Sequence, residues 1–274
     1  MKVKMSMINR ELRTSGRIFK LLNPAFTETR IRLFAGLTRK FLRGKTDKSL
    51  DCSEKWILRN DNSQMRVCIF RSKESSGKVP GILWLHGGGY GMGMPEQGIG
   101  MAKAFIKKKQ CVMIAPDYRL SVDAPYPAAL DDCYTALLWM KTNAELLGIH
   151  DSQIFTGGDS AGGGLTAAVS LYARDKNEVN IAFQMPLYPM LDDRMQTESA
   201  SDNNAPVWNS MSNYNAWKLY LGELFGNDNV PAFAAPARAT NYANLPPTAT
   251  FAGDLEPFRD ETILYVENLC KAGV

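Results

Sequence analysis

A glycine-rich segment with one serine at its centre restricts the fold of this chain more than any other part of the sequence. It occupies positions 157–164 and contains the pattern Gly158-x-Ser160-x-Gly162. A short apolar run precedes it, and a helix-like apolar run, Leu165–Leu171, follows it. This order predicts a strand, a sharp turn that carries the serine, and a helix. Glycines suit such a turn, because a Cβ there would clash with the neighbouring strand and helix. A glycine-rich loop with an incidental serine is the alternative.

The size and composition are those of a globular protein with a sizeable core. The 274 residues fit one large α/β domain or two small ones, and 45% of them are hydrophobic. No apolar run approaches the ~20 residues of a membrane span, and the basic N-terminus lacks the apolar core of a signal peptide. The five cysteines are scattered and form no CxxC pair, which suits reduced thiols rather than disulfides or a zinc site. We therefore predict a cytoplasmic protein without a metal.

The positive charge of the chain is concentrated in its first fifty residues. Residues 1–50 hold 13 Lys or Arg and three Asp or Glu, a net charge of about +10, which leaves about −6 for the remainder. A basic arm of this kind suits a nucleic acid or an anionic membrane surface. The alternative is a solvated helical face. We adopt that simpler interpretation and predict no nucleic-acid partner and no stable membrane insertion.

Two amphipathic segments precede the main domain. Ser6–Leu22 has apolar residues at near-helical spacing before a break at Asn23-Pro24. Ile31, Phe34, Leu37 and Phe41 mark a second helix, which Gly44 ends. We predict that residues 1–50 form an N-terminal helical cap on a core of residues 51–274. The apolar stripes of both helices need a partner, and we expect the rest of the chain to provide it.

Strands and helices alternate from residue 55 onward, which predicts a mostly parallel sheet with helices on both faces. The strands are expected at Lys55–Arg59, Arg66–Phe70, Gly81–Leu85, Cys111–Ala115, Gln153–Thr156, Ile181–Leu187 and Thr248–Phe251. The helices are expected at Ile99–Lys108, Ala128–Leu147, Leu165–Ala173, Asn213–Leu224 and Asp260–Ala272.

Two further segments accompany the serine turn at the expected carboxyl edge of the sheet, where open α/β sheets carry their sites. His86-Gly87-Gly88-Gly89 directly follows the buried strand that ends at Leu85. Consecutive glycines allow backbone N–H groups to point into a cavity, as an oxyanion hole requires. The segment 252–261 follows the last predicted strand and offers four carboxylates. The chain order is therefore oxyanion loop, nucleophile and acid.

On these residues the sequence resembles the hormone-sensitive-lipase-like branch of the α/β-hydrolases, the HGGG esterases. The resemblance implies an α/β-hydrolase fold with an N-terminal helical cap, and ester hydrolysis without a cofactor. It runs from about the first strand to the end of the chain, over His86-Gly87-Gly88-Gly89, Asp117-Tyr118-Arg119-Leu120, Tyr126-Pro127-Ala128-Ala129-Leu130-Asp131-Asp132, Gly158-Asp159-Ser160-Ala161-Gly162-Gly163, Tyr220-Leu221-Gly222, Ala235-Pro236-Ala237-Arg238, Leu245-Pro246-Pro247 and Arg259-Asp260-Glu261.

The resemblance also implies roles for particular residues. Ser160 would be the nucleophile, and the backbone N–H groups of Gly88, Gly89 and Ala161 would form the oxyanion hole. His86 would hold the oxyanion loop by hydrogen bonds.

The triad acid falls on Glu256, where the family usually has Asp, and a glutamate can orient a histidine as well. Asp254 and Asp260 are the competing candidates. We expect Asp260 to cap the helix that follows it.

The family's base histidine has no counterpart in this sequence. The chain contains only His86 and His150, and the family places its base beyond the segment that corresponds to Lys271–Val274. We expect His150 to be a surface turn residue at the opposite edge of the sheet from Ser160. From the resemblance we expect a chain that stops before its last strand, its last helix and its catalytic histidine, with crippled activity.

Two functions remain open at this point. The first is hydrolysis of small esters with short acyl chains through an acyl-enzyme on Ser160. The second is binding of a small ligand by a retired hydrolase site, since the gibberellin receptor resembles this family and lacks the base histidine. Intact Ser160 and Glu256 favour the first. The sequence leaves the oligomeric state open, and a homo-oligomer is among the states that it allows.

Overall fold

Within the described residues, which are 1–22, 25–74 and 77–274 of the computed structural model, the central sheet has six strands. Their order across the sheet is β1-β2-β4-β3-β5-β6. Strand β2 is antiparallel to both of its neighbours, whereas β4, β3, β5 and β6 run parallel. The predicted mostly parallel sheet is therefore confirmed. The bounds are β1 Leu50–Leu58, β2 Gln64–Ser72, β3 Val79–Leu85, β4 Val112–Pro116, β5 Ile149–Asp159 and β6 Phe183–Leu187.

Helices cover both faces of this sheet. The α-helices are α1 Arg13–Leu22, α2 Glu28–Leu42, α3 Ile99–Lys108, α4 Ala128–Thr142, α5 Ala161–Lys176, α6 Glu198–Ser201, α7 Ser210–Leu221 and α8 Arg259–Lys271. Short 3₁₀ helices lie at Met5–Met7, Arg10–Leu12, Pro95–Gly98, Gly222–Leu224 and Pro236–Arg238. None of the helices in the described ranges is both long and apolar enough to cross a bilayer.

Strand β3 shows why the central strands are apolar throughout. Its Leu83 and Leu85 belong to one buried cluster, together with residues of α4 and α5. Ile82 and Trp84 point to the other face and join a second cluster with residues of α3. Because successive side chains of a strand alternate between faces, a sheet covered on both sides needs apolar residues at every position.

Two predicted helices are shorter than expected. The segment Ser6–Leu22 is α-helical only from Arg13, whose guanidinium donates to the backbone oxygens of Ser6 and Ile8. Helix α4 ends at Thr142 instead of continuing to Leu147, because residues 143–148 form turns that lead into β5. The predicted break at Asn23-Pro24 lies outside the described residues.

The predicted strand Thr248–Phe251 was only partly correct. Thr248 forms an isolated parallel bridge with Gln184 of β6, and the N–H of Ala249 donates to the Gln184 oxygen at 3.1 Å. Further along, the N–H of Tyr188 donates to the Phe251 oxygen at 2.7 Å. Between these bonds stands Pro186, which has no N–H to donate. One rung of the ladder is therefore missing, and the segment lies against β6 without becoming a regular strand.

The N-terminal arm, residues 1–50, is fastened to the core at both of its ends. Near its start, the N–H of Val3 donates to Asn204 Oδ1 at 2.6 Å. Near its end, the N–H of Gly44 donates to Glu96 Oε1 at 2.7 Å. In α2, Ile31 and Ala35 are fully buried against the core.

The expectation that the chain covers the apolar stripes of the arm was wrong for most of the residues named. Phe34, Leu37 and Phe41 of α2 stay exposed, and so do Ile18 and Leu22 of α1. Helix α2 turns its 31, 35, 38 and 42 positions towards the core, and this face lies beside the predicted stripe rather than on it. The division into a cap and a core stays a prediction.

Candidate active site

The three candidate segments follow neighbouring elements at one edge of the sheet. Leu85, the last residue of β3, pairs with Gly158 of β5, and Asp159 pairs with Leu187 of β6. The segment around Thr248 lies on the far side of β6. The glycine loop, the serine turn and the acidic segment therefore start from adjacent carboxyl ends, which is where open α/β sheets hold their sites.

Ser160 occupies a backbone conformation that residues other than glycine rarely adopt. Its φ is 56° and its ψ is −117°, directly between the end of β5 and the start of α5. Three hydrogen bonds hold it there: its N–H donates to the Leu187 oxygen at 2.9 Å, and its carbonyl accepts from Gly164 and Met190, both at 3.0 Å. A strained residue persists only where its surroundings determine its conformation in this way. The side chain is half-buried, and its hydroxyl has no hydrogen-bond partner among the described residues.

The glycines on either side of Ser160 allow the turn to pack against β3. A Cβ added at Gly158 would lie 2.4 Å from the Gly162 oxygen, and one at Gly162 would lie 2.0 Å from the Leu85 oxygen. Both distances are shorter than any real carbon contact, and backbone atoms are involved, so nothing can move aside cheaply. The pattern Gly158-x-Ser160-x-Gly162 is therefore a steric requirement of this turn.

The glycine loop packs against the serine turn, since a Cβ added at Gly162 would lie 2.6 Å from the His86 oxygen. Gly88 has a φ of 124° and Gly89 a φ of 58°, conformations that favour glycine. Its contacts also leave no room for side chains, since a Cβ at Gly89 would lie 2.4 Å from Cη2 of Trp208. In the described part of the chain, the N–H groups of Gly88, Gly89 and Ala161 donate no hydrogen bond. Their role as an oxyanion hole stays a prediction.

Asp159 links this loop to the serine turn, a role that sequence reasoning missed. The carboxylate of Asp159 accepts a hydrogen bond from the backbone of Gly87. Burial raises the pKa of Asp159, and that hydrogen bond opposes the rise. The available signal was the position of Asp159 next to Ser160, at the carboxyl end of a buried strand.

His86 lies beneath the loop and is only 1% exposed. Its ring stacks on Tyr118 with 4.2 Å between the centroids, and its Nδ1 lies 2.9 Å from the Gly87 oxygen. Tyr118 also donates its hydroxyl to the His86 carbonyl at 2.7 Å. Burial lowers the pKa of His86 to about 4, so the ring is neutral near pH 7 and donates from Nδ1 to Gly87. This placement suits support of the loop; that role stays a prediction.

Glu256 is the half-buried carboxylate of the acidic segment. Burial raises its pKa to about 7, although the Gly253 N–H donates to its Oε1. Its charge adds to burial in raising the pKa of Tyr188 to about 12, as does the charge of Asp159. Tyr188 lies between the serine turn and the acidic segment, because its neighbour Leu187 accepts from Ser160 and its own N–H donates to Phe251. The role of Glu256 as triad acid stays a prediction.

The competing carboxylates are placed differently. Asp254 is exposed. We expected Asp260 to cap α8, and this was wrong. The N-cap is Phe258, and Asp260 lies in the first turn. Because α6 packs against α8 at this point, the Asp260 carboxylate accepts from the Ser199 N–H at 2.8 Å. It also forms an ion pair with its neighbour Arg259.

His150 is too far from Ser160 to act as its base. His150 is exposed and lies at the start of β5, whereas Ser160 follows the end of that strand. Strand β3 covers the length of β5 in six residue steps, from Val79 beside Ile149 to Leu85 beside Gly158, so the two ends of β5 lie roughly 20 Å apart. His150 is a strand residue and not the turn residue we expected, but it does lie at the opposite edge of the sheet.

One group of potential metal ligands occurs among the described residues, formed by Glu54, Cys68 and Glu96. The guanidinium of Arg66 already occupies it, at 2.8 Å from both Glu54 Oε1 and Glu96 Oε1. Burial raises the pKa of Cys68 to about 12, so the thiol stays protonated and is a poor ligand. The group is better described as a buried ion-pair network.

Comparison with known proteins identifies the family of this chain. Residues 82–274 match the family described as alpha/beta hydrolase fold. Esterase LipI of Mycobacterium tuberculosis is 34% identical over 200 residues, and Carboxylesterase NlhH of the same species is 32% identical over 199 residues. Each alignment covers 72% of this chain and 62% of the relative, so the chain spans about three-fifths of the length of these curated relatives.

Among solved structures, a bacterial heroin esterase is 32% identical and superposes with a TM-score of 0.89. The superposition covers 99% of this chain and 87% of that protein. The family match extends over well more than half of the chain, and these relatives are named as esterases or carboxylesterases. The chain therefore belongs to the hormone-sensitive-lipase-like esterase family of the α/β-hydrolase fold.

Proposed function

We propose that Ser160 is the nucleophile of a carboxylic ester hydrolase that works through an acyl-enzyme. The main support is the strained serine turn, which leaves the hydroxyl unpaired beside three N–H groups without partners among the described residues. A second support is that the named relatives are esterases and carboxylesterases. We also propose that residues 1–50 form an N-terminal cap and that residues 51–274 form the hydrolase core.

The reaction has two steps. In the first, Ser160 Oγ attacks the ester carbonyl, the carbonyl oxygen becomes negative, and the N–H groups of Gly88, Gly89 and Ala161 donate to it. The intermediate then collapses, the carbon–oxygen bond to the alcohol breaks, and the acyl group remains on Ser160. In the second step water attacks the same carbon and releases the acid. We propose esters with short acyl chains as substrates.

Both steps need a group that takes and returns a proton. In the family this group is a histidine, and we propose Glu256 as the acid that would orient it. The ring of His86 is buried against Tyr118, and His150 lies at the opposite end of β5 from Ser160, so we propose neither as the base. We therefore expect the 274-residue chain alone to turn over esters several orders of magnitude more slowly than a complete triad.

Chemical rescue tests the proposal. Hydrolysis of p-nitrophenyl acetate by the chain is measured with and without added imidazole, which is small enough to act as a diffusible base. We expect imidazole to raise the enzyme-dependent rate, and we expect the Ser160→Ala variant to show no such rise. A His150→Ala variant is the matched control and should behave like the parent chain. Equal rescue of the Ser160→Ala variant would refute the role of Ser160.

A further inference from the structure

The N-terminal arm carries a large uncovered apolar surface. Half of the exposed large apolar side chains in the described part of the chain lie within its first 41 residues. Leu21 is 83% exposed, Leu22 73% and Phe41 62%. A globular protein leaves single apolar residues in water without consequence, but a concentration of this kind marks an interaction site.

Helical spacing arranges these side chains in stripes. In α1, Ile18 has Leu21 and Leu22 as its neighbours three and four positions on. In α2, Leu33, Leu37 and Phe41 follow one another at steps of four. We call these six residues the arm surface.

Phe26 lies between the two helices. Its ring lies 6.4 Å from Phe19 of α1 and 5.2 Å from Phe34 of α2, measured between centroids. It also packs on Trp208 at 5.6 Å, and Val207, the neighbour of Trp208, is exposed as well. One aromatic cluster therefore holds the two helices together.

Unpaired cations surround the arm surface. Arg17, Arg43 and Lys45 are exposed and form no ion pair with any described residue. The arm as a whole has a net charge of about +10, against about −6 for the rest of the chain. An apolar stripe with basic residues at its margins is the pattern of helices that lie in the interface of an anionic membrane.

We propose that the arm surface docks on the surface of an anionic phospholipid bilayer. The leucines and Phe41 enter the headgroup region, and the flanking Arg and Lys residues bind lipid phosphates. A second copy of this chain is a poor occupant, since it would bring two arms of about +10 together. A nucleic acid offers phosphates but no cover for aliphatic side chains. Docking does not depend on the chemistry proposed for Ser160, so the two proposals can fail separately.

Vesicle flotation tests this surface directly. The 274-residue chain is mixed with vesicles of equal parts phosphatidylglycerol and phosphatidylcholine, or of phosphatidylcholine alone, and the bound fraction is measured. We expect retention on the anionic vesicles at about 0.05 M salt and its loss at about 0.5 M salt, because salt screens the charge term. No retention at low salt, or equal retention on both vesicle types, would overturn the proposal.

Two pairs of variants separate the apolar and the charged contributions. Leu21→Ser/Leu22→Ser/Phe41→Ser should weaken vesicle binding by about tenfold or more. Its matched control, Leu58→Ser/Leu146→Ser/Ile263→Ser, changes three exposed apolar residues elsewhere and should bind like the parent. Arg17→Gln/Arg43→Gln/Lys45→Gln should weaken binding on the order of a hundredfold, since each cation near such a surface contributes about fivefold. Lys107→Gln/Lys108→Gln/Lys109→Gln is its control.

Circular dichroism and thermal unfolding verify that the variants are folded. Unchanged vesicle binding in a folded arm variant would overturn the proposal. So would a dimer that the apolar variant dissociates, or retention on DNA in place of vesicles, since each assigns the arm surface to another occupant.

Discussion

The strain at Ser160 can be measured as a stability difference between two substitutions. Its φ of 56° and ψ of −117° belong to a region that glycine occupies freely and other residues occupy at a cost of roughly 1–3 kcal/mol. The Ser160→Ala variant keeps that cost, whereas Ser160→Gly removes it. Glycine loses roughly 0.5–1 kcal/mol through the greater freedom of the unfolded chain. We therefore expect Ser160→Gly to be more stable than Ser160→Ala by about 1 kcal/mol.

Urea unfolding of the two variants gives this difference, provided that the slope of free energy against urea is the same for both. The hydroxyl has no hydrogen-bond partner among the described residues, so its loss is common to both variants and cancels. Glu267, exposed in the middle of α8, is the control. There Gly should be less stable than Ala by about 1 kcal/mol. If Ser160→Gly is also the less stable of its pair, the turn stores no strain and our reasoning is wrong.

Two further predictions concern the same site. The folded protein holds a proton on Glu256 up to about pH 7, whereas its ordinary pKa is 4.5, so the free energy of unfolding should fall as pH rises between these values. Relative to Glu256→Gln, the parent should lose roughly 2–3 kcal/mol over this range in urea unfolding, and a pH-independent difference would contradict the burial argument. Gly162→Ala should prevent stable folding, because its Cβ would lie 2.0 Å from the Leu85 oxygen. Gly36→Ala in α2, with nothing within 4 Å, should instead raise the unfolding free energy by roughly 0.5–1 kcal/mol, and equal effects would rule out the steric explanation.

The serine turn was predictable because its requirements are local. Glycine is needed at positions 158 and 162 because the strand, the turn and the helix pack closely there, and both positions lie within five consecutive residues. The parallel sheet was predictable for a similar reason, since buried strands must be apolar on both faces.

Features that depend on distant partners were not predictable in this way. The link from Asp159 to Gly87 joins two segments more than seventy residues apart, and the local sequence around either residue does not predict it. Asp260 resembled a helix cap, but its carboxylate accepts from the backbone of Ser199 in α6. The raised pKa of Glu256 depends on burial that only the folded chain creates. The hydrogen bond missing at Pro186 could be predicted only if the register between β6 and the segment after Thr248 were already known.

The attachment of the N-terminal arm at both ends limits how the arm can move. Val3 is held by Asn204, and Gly44 is held by Glu96, whose carboxylate also binds the buried guanidinium of Arg66. A segment held at one end can peel away by fraying from its free end. The arm is also held between these two attachments, because the N–H of Phe26 donates to Ser212 Oγ at 2.9 Å and Ile31 of α2 is fully buried. Amide hydrogen exchange should therefore be slow at Val3, Phe26 and Gly44 alike, whereas fraying from the free end would make it fastest at Val3.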